Sequence, residues 1–139
     1  NLGVPLDHTE AVRLFRLSAE AGNVAAQCHL GLKYAKGDGI MRDHVEAAKW
    51  YLQAAHQGHV WSQIRLAEAF ASGIGVPKDL PEAFVWYDIA ADNNVPSRLR
   101  RDELIASLPS DVVKREQVRS SVLRRQIEEK VRSVGERTY

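Results

Sequence analysis

Cysteine, long apolar runs and catalytic motifs are scarce in this chain of 139 residues. The single cysteine, Cys28, excludes an intrachain disulfide and any metal site built from several thiolates. No apolar stretch approaches the roughly 18 residues of a membrane-spanning helix, so we expect none. Ser-x-x-Lys does not occur, and no Ser/His/Asp or Cys/His set is recognisable. We therefore expect no enzyme activity, no metal and no cofactor.

The charge is almost balanced. The chain has 19 Lys+Arg and 18 Asp+Glu, a formal net charge of +1, which does not indicate a nucleic-acid-binding protein. Apolar residues make up 45% of the sequence, enough for a folded domain. Composition thus predicts a folded chain without a nucleic-acid partner.

An internal repeat is the dominant feature. The stretches "NLGVPLDHTEAVRLF", "GDGIMRDHVEAAKWY" and "GIGVPKDLPEAFVWY" begin 36 residues apart, at positions 1, 37 and 73. The recurring positions are Gly3/Gly39/Gly75, Asp7/Asp43/Asp79, Glu10/Glu46/Glu82, Ala11/Ala47/Ala83, Phe15/Tyr51/Tyr87 and Ala19/Ala55/Ala91. A period of this length predicts a solenoid of stacked units.

Each unit is predicted to contain two helices. Asp-x-x-Glu predicts a capping box, in which the Asp side chain accepts backbone N–H groups and the Glu side chain returns the bond. Apolar residues then follow at i, i+3, i+4 and i+7, which is one face of a helix. Gly22 and Gly58 are predicted to end the first helices in the left-handed conformation, with Asn94 in the same role. The second helices are predicted to end at Gly37 and Gly73.

The Gly73-x-Gly75 motif allows two interpretations, a phosphate-binding loop or a chain turn. A phosphate loop leads from a strand directly onto a helix N-terminus. Here the motif follows a helix and recurs once per unit, which a single ligand site does not need. The pattern therefore predicts a turn.

The stretches "EAAKWYLQAAHQGH", "AGNVAAQCHLGLKYAKGDG" and "ASGIGVPKDLPEAFVWY" resemble the Sel-one-like repeat (SLR) family, a relative of the tetratricopeptide repeats. With the period, the resemblance implies an all-α protein, a right-handed α/α solenoid of helix-turn-helix repeats with a 36-residue period. It also implies a non-catalytic adaptor or scaffold, in this family often extracytoplasmic or membrane-associated.

Two regions are predicted. Residues 1–96 hold two full repeats and the first helix of a third, and Asn1 aligns with the tail of a missing unit. Residues 97–139 form a C-terminal capping helix and a long charged amphipathic helix of about 111–134, and this helix pair closes the solenoid. In the capping helix Leu99 aligns with Gln27, and its arginines Arg98, Arg100 and Arg101 are expected to face solvent.

A protein or peptide partner is expected on the concave surface, which the first helices line in solenoids of this kind. We call the side of each first helix opposite the core the first-helix face. Its residues are Thr9, Arg13, Arg16 and Glu20, then Val45, Lys49, Leu52 and His56, then Pro81, Val85, Asp88 and Asp92. The candidate binding residues are Arg13, Arg16, Lys49, Leu52, Val85 and Asp88, with Trp61 as an outlying anchor.

Several of these interpretations have alternatives. Trp61 is either a partner-facing anchor or packs against a neighbouring loop, whereas Trp50 and Trp86 are expected in the core. His56 and His59 are expected to be solvated. In place of an adaptor, the last helix could form a homodimer seam in a structural spacer. The chain could also be the accessory part of a larger enzyme or envelope protein.

Overall fold

The computed structural model describes residues 7–137, with side chains through residue 135. The repeat positions Gly3 and Asn1 lie outside this range. Within it the chain forms seven α-helices and no strand. They are α1 (His8–Glu20), α2 (Val24–Lys36), α3 (His44–His56), α4 (Val60–Ser72), α5 (Leu80–Ala90), α6 (Val95–Ser107) and α7 (Ser110–Arg137). The first six form three helix-turn-helix units, which confirms the predicted solenoid.

The aspartates cap the first helices as predicted. Asp43 Oδ1 accepts the Glu46 N–H at 3.1 Å, and equivalent bonds start α1 at Asp7 and α5 at Asp79. The predicted return bond from glutamate is wrong. The N–H of Asp43 donates instead to the carbonyl of Tyr34 at 2.9 Å. The N–H of Asp79 donates in the same way to the carbonyl of Phe70 at 2.9 Å. The caps of α3 and α5 therefore also join their helices to the preceding unit, and Glu46 is left to pair with Lys49.

Replacing Asp43 with alanine should lower the free energy of unfolding by about 0.5–2 kcal/mol, the usual loss for an N-cap. Urea titration followed by circular dichroism measures this change. Asp43→Asn keeps the oxygen acceptor and should retain most of the stability. Equal losses in the two variants would show that the carboxylate charge matters, and not the capping bond.

Two glycines build the turn between units. Gly73 ends α4 with φ 76° and Gly75 follows with φ 84°, a left-handed region that disfavours other residues. A Cβ on Gly75 would lie 2.3 Å from the carbonyl oxygen of His44. Gly39 approaches His8 in the same way, also at 2.3 Å. The space beside the second glycine is thus occupied by the protein's own backbone, which leaves no room for a phosphate and supports the turn interpretation of the motif.

The core lies between successive units. One buried cluster joins α1, α2 and α3 and includes Val12, Ala19, Leu30, Tyr34 and Tyr51. A second joins α3, α4, α5 and α7 and includes Leu66, Phe84, Trp86, Tyr87 and Ile127. The repeated aromatic positions Tyr51 and Tyr87 thus hold neighbouring units together, as the sequence predicted.

The third unit departs from the 36-residue period. Helix α4 begins 36 residues after α2, but α6 begins 35 residues after α4. Asn94 does not adopt the predicted left-handed conformation. It has φ −151° and is the N-cap of α6, where its side chain accepts the Ser97 N–H at 2.9 Å. Without a glycine equivalent to Gly58, the chain enters α6 one residue early.

This shift puts Arg98, and not Leu99, at the position of Gln27 and Gln63. All three side chains donate to the carbonyl of an alanine in the last turn of the preceding helix or directly after it. The bonds run from Gln27 Nε2 to Ala19 O at 3.2 Å, from Gln63 Nε2 to Ala55 O at 3.2 Å and from Arg98 Nε to Ala91 O at 2.7 Å. Arg98 nevertheless remains exposed, as expected, because its hydrogen bonds lie within its own unit.

Helix α7 packs along α5 and covers it. Its buried stripe consists of Val113, Glu116, Ser120 and Ile127. Farther along, Val131 lies beside Gly58 in the turn after α3, where a Cβ on that glycine would be 3.0 Å from the valine. The last turns, with Val134, share a shallow pocket with Val24 at the start of α2. The single long helix thus runs from the third unit back to the first.

Candidate functional site

The first-helix face remains open in the first two units. The Arg13 and Lys49 side chains are 60% and 65% exposed, although each pairs with a glutamate on its own helix. Leu52 is 39% exposed. Arg16 is held more firmly, because it donates to the Tyr34 hydroxyl at 2.7 Å. Surface ion pairs between helix neighbours are worth little, so Arg13 and Lys49 are free to pair with other groups.

The same face is closed in the third unit. Val85 is 0% exposed, so the expectation that it escapes the core is wrong. Asp88 keeps 16% of its side chain exposed and pairs with Arg101 and Arg124, each at 3.4 Å. It also accepts a hydrogen bond from Ser120 of α7. The structure therefore separates Val85 and Asp88 from the other candidate residues.

The sequence contains the cause of this closure. Helix α5 reads "LPEAFVWYDIA" and is apolar almost all round, which is the pattern of a helix buried on every side. The positions equivalent to Val85 in the first two units are Arg13 and Lys49, which need no cover. Helix α7 supplies the cover, with Arg119 pairing with Glu82. These covering residues of α7 were missed by the sequence reasoning, although the apolar surface of α5 signals that a partner helix is needed.

The environment of Arg101 also differs from the expectation. Expected in solvent, it is half-buried and pairs with both Asp88 and Asp102. Arg100 does pair at the surface, with Glu103 at 3.2 Å. The polar end of the solenoid is thus partly an ordered ion-pair network around Asp88.

Trp61 is half-buried at the start of α4 and packs inside the repeat. Its ring meets Tyr51 edge-on with centroids 5.7 Å apart. The guanidinium of Arg65 covers the ring at 4.6 Å from its centroid. Both contacts favour the packing interpretation, with Tyr51 and Arg65 as the neighbours in place of a loop.

His56 and His59 were expected to be solvated, but both are half-buried and make packing or capping contacts. His59 is the N-cap of α4, and its Nδ1 accepts the Ser62 N–H at 3.2 Å. Burial lowers the pKa of His59, and His29 lowers it further. His56 meets the Trp86 ring edge-on at 5.2 Å, and burial followed by the charge of Lys130 lowers its pKa. The lowered pKa of each ring favours its neutral form, the form that the His59 cap requires.

His59→Asn should remove part of the pH dependence of stability. The cap needs an unprotonated Nδ1, and the pKa of His59 is lower in the folded chain than in the unfolded one. Stability from the cap is present above the unfolded value of about 6.5 and is lost as pH falls through the folded pKa. Asparagine caps α2 and α6 at the equivalent positions.

The variant should therefore match the parent at pH 8 and exceed it at pH 5, as measured by urea titration at each pH. The His56 contribution is common to both proteins and cancels in the comparison. Parallel stability profiles for the two proteins across this range would contradict the capping role of His59.

Three further features bear on function. No helix in the described part of the chain is long and apolar enough to cross a membrane. Within residues 7–137 no group of three or more His, Cys, Asp or Glu side chains could hold a metal ion. Burial also raises the pKa of the Cys28 thiol, which disfavours the reactive thiolate.

Known proteins resemble this chain in sequence and in fold. The sequence model of the Sel1 repeat family matches residues 2–23, 24–59 and 62–95 of this chain. The structure of a protective antigen present in uropathogenic Escherichia coli strains, which displays an SLR fold, is 30% identical with a TM-score of 0.83. The match covers 97% of this chain and 30% of the antigen.

A Sel1 repeat protein from Oxalobacter formigenes is 40% identical, with a TM-score of 0.64, over 67% of this chain and 38% of that one. No curated protein sequence matches the chain. The chain thus spans about a third of the length of these two structures.

Proposed function

Since the chain belongs to the Sel1 repeat family, whose fold is typical of protein-interaction scaffolds, we propose that it is a non-catalytic module that binds a protein or peptide on its first-helix face. The observation that carries the proposal is the contrast between the first two units. Core positions repeat in register, whereas exposed Leu52 stands where the first unit has Arg16. In a repeat scaffold the residues that pack the units together must recur, whereas the residues that recognise a partner must differ between units.

The proposed surface is smaller than the sequence suggested. It comprises Arg13, Arg16, Lys49 and Leu52 on α1 and α3, because α7 covers Val85 and Asp88. Leu52 supplies apolar contact, and the flanking cations set the orientation of the bound segment. The likeness to a protective antigen of Escherichia coli strains supports a place in the bacterial envelope or periplasm, as an adaptor within a larger protein.

Crosslinking tests the surface directly. A photoreactive amino acid at position 52 should capture a discrete partner, and the same group at position 99 should not. Leu99 is a matched control because it is an exposed leucine, 62% accessible, on α6. Mass spectrometry identifies the captured protein, which is then purified.

Leu52→Glu should weaken binding of that purified partner at least about tenfold, the effect of about 1.4 kcal/mol, while Leu99→Glu leaves it unchanged. Calorimetric titration gives both affinities, and circular dichroism checks that helix content is retained. Equal affinities for parent and Leu52→Glu would refute the first-helix face as the binding surface.

A homodimer through α7 is the second candidate. Val118 and Val122 lie one turn apart on the side of α7 opposite its buried stripe, and they are 67% and 48% exposed. Such a pair is the beginning of a helix–helix seam. Light scattering of the parent and of Val118→Glu separates this alternative from the adaptor, because only a dimer through this seam becomes monomeric in the variant.

A further inference from the structure

The outer side of α1 is more exposed than the same side of the other first helices. Leu14 is 52% exposed, whereas Trp50 at the equivalent position of α3 is half-buried and Trp86 of α5 is 1% exposed. Three more positions on this side are buried in α3 and α5 but only half-buried in α1. They are Ala11, Phe15 and Ser18 in α1, Ala47, Tyr51 and Ala54 in α3, and Ala83, Tyr87 and Ala90 in α5. We call these α1 positions, with Leu14, the open α1 side.

In the second unit, the structure shows what covers this side. Helix α2 packs on α3 so closely that a Cβ on Gly31 would lie 2.6 Å from the Tyr51 ring. Ala67 takes the same position in α4, where it is fully buried. The covering helix must therefore carry a small residue at this point, since a larger one would hold the two helices apart.

Helix α6, the second helix of the third unit, does not meet this requirement. Because α6 enters one residue early, Asp102 takes the position of Gly31 and Ala67, and its side chain is 60% exposed beside Arg101. A carboxylate at the point of closest approach would be desolvated without compensation. A second copy of this chain therefore cannot cover the open α1 side by stacking its α6 there.

We propose that the open α1 side is a stacking surface for the second helix of a further Sel1-type hairpin, which precedes α1 in the same polypeptide. The contact continues the interface seen between α2 and α3 and between α4 and α5. Its chemistry requires glycine or alanine at the position of Gly31. The solenoid thus accepts a unit at the α1 end and is closed to one at the α6 end.

An extended chain tests the proposal. A copy of residues 22–36, which contains α2, is fused directly ahead of Asn1, and this keeps the 36-residue register. Leu14→Cys in a Cys28→Ser background, with the same serine in the copy, supplies one thiol on the open α1 side. The matched control carries Gly31→Asp in the copied helix only.

Thiol labelling at position 14 should be at least about threefold slower with the added helix than without it, because the equivalent Trp50 is half-buried beneath α2, and the Asp control should restore most of the rate. Hydrogen exchange of the α1 amides, in the extended chain with Leu14 intact, should slow in parallel. Equal labelling and equal exchange with and without the added helix would overturn the proposal. A parent that is already protected at position 14 and dimeric by light scattering would assign the surface to a second copy, which also overturns it.

Discussion

Trp86→Ala is expected to lower the free energy of unfolding by about 3–5 kcal/mol, the range for removing a large buried aromatic side chain. The Trp86 side chain is 1% exposed within the second core cluster. It packs edge-on against His56 of the preceding first helix, and its indole donates to Glu82 at 3.2 Å. Truncation would leave a cavity between the second and third units and strip His56 of its ring contact.

Leu14→Ala is the matched control, because Leu14 takes the same repeat position on α1 but is 52% exposed. Its truncation should cost well under half as much. Guanidinium titration of both variants gives the two free energies. Similar losses at positions 14 and 86 would contradict the assignment of the second core cluster, because stability would then not follow burial.

Gly75→Ala is expected to have the second largest effect. The left-handed backbone alone costs an alanine about 1–2 kcal/mol, and overlap in a packed site typically adds about 1–3 kcal/mol. The overlap is with the backbone of His44, 2.3 Å from the added Cβ, so no side-chain rotation can relieve it. The unit turn must shift as a whole.

Gly22→Ala separates these two contributions. Gly22 has φ 96°, and an added Cβ there meets no atom within 4 Å. This variant should therefore show only the backbone cost, and Gly75→Ala should show more. Thermal melting compares the two. If Gly22→Ala were as destabilising as Gly75→Ala, the close approach to His44 would contribute nothing.

Sequence reasoning predicted the repeating parts of the fold for a physical reason. The caps at Asp43 and Asp79 and the interface positions at Tyr51 and Tyr87 recur in every unit, so each copy supports the interpretation of the others. The predicted long helix of about 111–134 is also confirmed, as α7 (Ser110–Arg137). Such features depend on local chemistry and on period, both of which a single sequence displays.

The parts that the sequence did not predict depend on a one-residue change in length or on contacts between residues far apart in the sequence. A one-residue shortening before α6 moved Arg98 into a glutamine position, and the 36-residue register hid this change. Val85 was placed on an exposed face because a helical wheel cannot show that α7, which follows much later in the chain, returns to cover α5. The candidate surface shrank for the same reason, to Arg13, Arg16, Lys49 and Leu52.

The path of α7 has a consequence for how the molecule unfolds. In a solenoid whose units touch only their neighbours, end units can fray independently and the transition broadens. Here α7 leaves the third unit, passes Gly58 beside Val131 and approaches Val24 with its last turns. It thereby adds contacts between the third unit and the end of the second to those that neighbouring units already share. The second and third units should therefore unfold together, and the closure of these long-range contacts should be a late, slow step of folding.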